Sequence, residues 1–128
     1  MKALTRDKLN ALAQIAAVDG FVADEEKDVI YKIAEEHGFS EENVNYILEN
    51  PEPLGDFKDL SEDERLEFMF ISLSVMQADD LVYNSEVSFC KTIADKLNID
   101  TALVDVYATR TEMSLEDFMK EAKRYVKE

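Results

Sequence analysis

Four carboxylates, Asp19, Glu26, Asp79 and Glu86, mark the two ends of a repeated pattern, Asp-x-x-Val-x-x-x-Glu. Paired acids at such spacing can hold a hard divalent cation, exchange protons with a substrate, or accept the free N–H groups at a helix start. Their neighbours make them unusual. Glu26 lies three and four residues before Val29 and Ile30 and seven before Ile33. That spacing places it on the apolar face of a helix, one turn above them. Glu86 stands in the same relation to Phe89, Cys90 and Ile93, Asp19 continues the stripe Leu12, Ile15 and Ala16, and Asp79 continues Val75 and Met76. The spacing predicts that Glu26 and Glu86 are far less exposed than Glu25 and Glu36. A carboxylate at a core edge needs donors, a counter-cation or a proton.

Two accounts of these acids stand side by side. An Asp in a tight loop can close an Asx-turn, and a Glu in the first turn of the next helix can accept backbone N–H groups where the dipole favours it. The other account is a divalent cation. The run Asp19-Gly20-Phe21-Val22-Ala23-Asp24-Glu25-Glu26 fits the second half of an EF-hand loop, Asp-Gly-x-hydrophobic-x-x-x-Glu. The first and third ligand positions of such a loop fall on Ile15 and Ala17, and in the second copy on Val75 and Gln77, so neither copy is an EF-hand. Calcium or magnesium would need oxygens from both loops, from water or from a partner. Zinc is disfavoured, because His37 and Cys90 are the only imidazole and thiol in the chain.

Helices must position these residues. Thr5 caps a first helix that runs to about Val18, Asp24 opens a second that stops at Gly38, and Ser40 caps a third that ends before Pro51. Pro51, Pro53 and Gly55 fall in Glu49–Asp56, which reads as a linker. Ser61 with Glu64 forms a capping box for a fourth helix. A fifth begins near Asn84 and ends at Asn98, Asp100 caps a sixth, and Ser114 with Asp117 opens the last. The run Phe68–Met76 is apolar all round and predicts a central, enclosed helix.

Sliding the chain by sixty residues brings Asp19 onto Asp79, Val22 onto Val82, Glu26 onto Glu86, Ile33 onto Ile93, Ala34 onto Ala94 and Val44 onto Val104. Six identities over residues 15 to 44 exceed the about two that average composition gives. The mismatches keep their character: Ile30 meets Cys90, Phe39 meets Ile99, and the caps Asp24 and Ser40 meet Asn84 and Asp100. The expected fold is all-α: about seven helices, arranged as two pseudo-symmetric three-helix units over residues 5–50 and 62–110 plus a C-terminal helix, in one domain of 128 residues.

The doubled motif in a small acidic helical chain resembles the TerB-like tellurite-resistance family, which includes the related N-terminal domain of a membrane-anchored DnaJ-type co-chaperone. The resemblance covers the first helix to the sixth. The second copy departs from the pattern, with Asp80 in place of Gly and Ser85 before the Glu. The resemblance implies a stress-associated role without an established catalytic activity, and acids at Asp19, Glu26, Asp79 and Glu86 that hold a metal.

Composition narrows the partners. The net charge of −15 opposes phosphate backbones and anionic lipid and favours cations or a basic protein surface. Lys2, Arg6 and Lys8 precede an Ala- and Leu-rich stretch that Asn10 and Gln14 interrupt and Asp19 ends, which predicts an amphipathic helix rather than a targeting segment. No run is long enough to span a bilayer. A lone Cys90 fits a reducing, cytoplasmic setting; at the position of Ile30 it reads as a small buried hydrophobe. No nucleophile motif, phosphate loop or triad is readable, so the expected role is non-enzymatic. The alternative to cation binding is a helical protein–protein interaction module whose loop acids are purely structural.

Overall fold

The computed structural model describes residues 6–17, 24–55, 57, 60–78, 84–110 and 113–127. Among them are seven α-helices: α1 (Arg6–Ala17), α2 (Asp24–Glu36), α3 (Glu41–Glu49), α4 (Glu62–Met76), α5 (Asn84–Lys96), α6 (Ala102–Tyr107) and α7 (Leu115–Ala122). A 3₁₀ turn, Lys123–Tyr125, follows α7. The only extended pairing among the described residues is a single antiparallel bridge between Ile99 and Val126.

Three caps form where the sequence puts them. Ser40 accepts the N–H of Asn43 while the Asn43 side chain accepts the N–H of Ser40. Ser61 and Glu64 repeat that reciprocal arrangement at α4. Ser114 Oγ accepts the N–H of Asp117 at α7. Before α6 the cap is looser: Asp100 Oδ1 accepts the N–H of Ala102, but the residue that leads into the helix is Thr101. Thr5, the expected cap of α1, lies outside the described residues.

The sixty-residue repeat is visible in the backbone. Helices α2 and α5 begin and end sixty residues apart. Both close with a left-handed residue, Gly38 at φ +85° and Asn98 at φ +59°. Beyond each, a longer bond reaches back to the helix, from Phe39 N–H to Ala34 O and from Ile99 N–H to Ala94 O, both 2.9 Å. Glycine and asparagine are the residues that enter this conformation most cheaply, which is why they stand at matching positions. Ile30 and Cys90, Ala34 and Ala94, and Val44 and Val104 are buried in pairs.

The core lies around the first helix of each unit. α1 packs against α2, α3, α4 and α5, and α4 packs against α1, α2, α5 and α7. The expectation of one enclosed helix at Phe68–Met76 thus applies to both. α1 is not amphipathic in the ordinary sense: from Lys8 to Ala16 every residue but Gln14 is buried. Its polar residues are used internally. Asn10, 2% exposed, donates from Nδ2 to Glu52 O at 2.9 Å and accepts the Glu52 N–H at 3.0 Å. Gln14 also donates to Glu52 O, and Arg6 holds the Glu52 carboxylate at 2.8 Å. The linker is therefore a fixed segment clamped to one edge of α1. A methyl group at Gly55 would lie 3.2 Å from the Asp7 carboxylate, which favours glycine at this close approach. No described helix is long and apolar enough to cross a membrane.

Candidate functional site

Glu26 and Glu86 sit in the first turns of α2 and α5. They are 2% and 1% exposed, whereas Glu25 and Glu36 are exposed. The helical spacing explains this placement, since Ile30 and Cys90, one turn further on, are fully buried. Both glutamates have interaction partners. A helix N-terminus is a favourable place for a carboxylate, because its first N–H groups lack intrahelical acceptors and the dipole is positive there. Asp19 and Asp79, the other members of the predicted set, lie outside the described residues, as do Gly20, Val22, Asp80 and Val82. Among the described residues no three of His, Cys, Asp and Glu gather as a metal-holding group.

Cys90 is fully buried. Burial pushes its thiol up to about 12, and the Glu86 carboxylate adds to the rise. A thiol in that setting stays protonated at neutral pH and serves as packing, not as a nucleophile or a metal ligand. His37 is half-buried at the end of α2, where its backbone N–H donates to Ala34 O at 3.1 Å.

Two polar arrangements escape a reading of the sequence. The first centres on Lys8, 2% exposed, whose ammonium stands 5.9 Å from the centroid of the Phe68 ring. Burial lowers its pKa, and the nearby carboxylates of Glu64 and Glu67 oppose that shift. Its position four residues before Leu12, on the stripe that continues to Ile15 and Ala16, was the available signal. The second joins α6 to α7. Tyr107 donates its hydroxyl to Glu121 Oε1 at 3.0 Å, and Arg110 meets the same oxygen at 3.1 Å. Gln77, at the end of α4, donates to the carbonyls of Tyr107 and Ala108. These groups are separated by up to 44 residues in sequence, and only packing brings them together.

A third feature is an open groove of about 280 Å³ between α2 and α3, lined by Tyr31, Glu35, Phe39, Ser40 and Glu41. It lies at the lower end of the size of ligand pockets, which begin at about 300 Å³, and is large enough to take a long side chain. Tyr31 spans the two helices above it by donating its hydroxyl to Asn45 Oδ1. Tyr46 of α3 is 56% exposed, with the Arg6 guanidinium 5.9 Å from its ring centroid.

No family model, curated protein or solved structure matches this chain.

Proposed function

We propose that this chain is a non-enzymatic binding module of a stress system, of the kind its TerB-like motif suggests, and that its acidic turns hold a divalent cation, calcium or magnesium. The observation that supports this most is the matched burial of Glu26 and Glu86 at the starts of α2 and α5. In a chain with a charge of −15, a cation would offset the cost of holding these two carboxylates at the core edge, beside the partners each already has. Asp19 and Asp79 would complete each set from the preceding turn. The lone buried thiol accords with a reducing, cytoplasmic setting.

With two EF-hand ligand positions missing from each loop, the dissociation constant is on the order of 10⁻⁴ to 10⁻³ M. Thermal melting in calcium or magnesium, against sodium chloride at matched ionic strength, tests the proposal. At a hundred-fold excess over the dissociation constant the folded state gains about 2.7 kcal/mol, a shift of several degrees. The double variant Asp19→Asn with Asp79→Asn should remove the excess over sodium chloride. Equal shifts in divalent and monovalent salt would rule out the cation.

A second reading, a protein–protein interaction module for a basic partner, has its own support. Helices α2 and α3 carry the exposed acids Glu25, Asp28, Glu35, Glu36, Glu41 and Glu42, of which Glu35 and Glu41 line the open groove.

A further inference from the structure

The two units join their second and third helices differently. Sixty residues beyond Tyr31 and Asn45 stand Lys91 and Asp105. Where Tyr31 reaches Asn45 across α2 and α3, the Lys91 ammonium reaches Asp105 Oδ1 at 2.9 Å across α5 and α6. The loop beneath is also covered in the second unit. Val126 pairs with Ile99, the Asp100 N–H donates to Tyr125 O at 2.7 Å, and the Lys127 N–H donates to Asn98 O at 2.8 Å. That covering segment is basic, with Lys123, Arg124 and Lys127 around Tyr125 and Val126. The second unit thus carries a lysine–aspartate pair across α5 and α6 and a basic C-terminal segment along the loop that follows α5.

Between α2 and α3, neither feature is found among the described residues, and the groove there is open. Its described lining has two aromatic faces, Tyr31 and Phe39, and two carboxylates, Glu35 and Glu41, with no basic side chain among them. Aromatic faces and carboxylates attract the same class of group, an ammonium or guanidinium whose stem lies along the rings. The first unit cannot copy the whole strand pairing: the Ser40 N–H is already taken by Asn43, and Gly38 lacks the side chain with which Asn98 holds Lys127 O. What remains transferable is the side-chain interaction. We propose that the α2–α3 groove receives a lysine or arginine side chain from a basic segment of a partner protein. This rests on the interaction-module reading and names the chemistry of its partner.

The test uses the full chain and a fluorescein-labelled ten-residue peptide of glycine and serine bearing two adjacent lysines, followed by anisotropy. The comparison peptide carries glutamines in their place. Tyr31→Lys with Asn45→Asp rebuilds the groove as the second unit has it and leaves the net charge unchanged. The lysine peptide should bind the unaltered chain, and the double variant should bind it about tenfold more weakly, the sum of a ring contact and exposed ion pairs. Glu35→Gln with Glu41→Gln, which leaves both rings in place, should weaken it in the same direction. Equal binding by the unaltered chain and the Tyr31→Lys, Asn45→Asp variant would overturn the groove assignment while leaving an interaction module for basic partners intact. Equal binding of the lysine and glutamine peptides would overturn the charge recognition. Binding of neither peptide to the unaltered chain would overturn both the groove and the basic-partner reading.

Discussion

The two units differ most along the flank of their first helix. In the first, the edge of α1 is closed by polar groups: Asn10 and Gln14 grip the backbone of Glu52, and α3 packs against both α1 and α2. In the second, the matching positions are Phe70 and Ser74. There α6 rests chiefly on α5, and α7 moves onto α4. Phe118 of α7 lies 5.3 Å from the Phe70 ring and 5.1 Å from the Tyr107 ring, and Tyr107 in turn meets Tyr125 edge-on. One template thus has two closures. A linker must present unpaired backbone, so the residues facing it are amides. A following helix has satisfied its own backbone and can present a ring, so the residues facing it are aromatic.

Three substitutions test that contrast. Phe118→Ala removes the aromatic plug of the second unit and should cost about 3–5 kcal/mol in chemical denaturation. A loss below about 1 kcal/mol would mean that α7 lies on the second unit without closing it. Asn10→Leu keeps the branched outline of the side chain and removes the clamp. It leaves the Glu52 N–H short of an acceptor in a part-buried site, and should cost about 1–3 kcal/mol by the same measurement. An equal or smaller effect of Phe118→Ala would reverse the ranking of the two closures.

Tyr107→Phe should have the smallest effect, seen mainly in its pH dependence. The Tyr107 hydroxyl, then Arg110, hold the Glu121 carboxyl below its ordinary value of 4.5. A carboxyl lowered on folding stabilises the protein above that value, and the gain is lost as pH falls through the folded value. Thermal melts should therefore separate the variant from the parent at neutral pH and converge in acid below about pH 4.5. A constant separation across that range would assign the Tyr107 hydroxyl a role other than holding Glu121.

The legible part of this fold is local. Ser40, Ser61 and Ser114 announce their helices because a cap needs only three or four consecutive residues. Gly38 and Asn98 announce the stops because few residues enter the left-handed region. The burial of Glu26 and Glu86 follows from helical spacing alone. Lys8, Asn10 and Gln14 mislead, because the same residue types mark a solvated face or a buried clamp according to what packs above them. Their partners lie 38 to 59 residues away, at Glu52, Glu64 and Glu67.

By itself the sequence determined an all-α chain, the caps at Ser40, Ser61 and Ser114, the stops at Gly38 and Asn98, and which face of α2 and of α5 turns inward, since each of these depends on interactions within a few turns. The tertiary structure decided which neighbour meets each face. It set the linker against α1 and α7 against α4, and left the α2–α3 groove open while Lys91 meets Asp105 across α5 and α6 and the C-terminal segment lies against residues 98–100. Periodicity says that a residue is covered. It carries no information about whether a backbone, a ring or a partner covers it, because those choices are made by volume and hydrogen-bonding groups from distant parts of the chain.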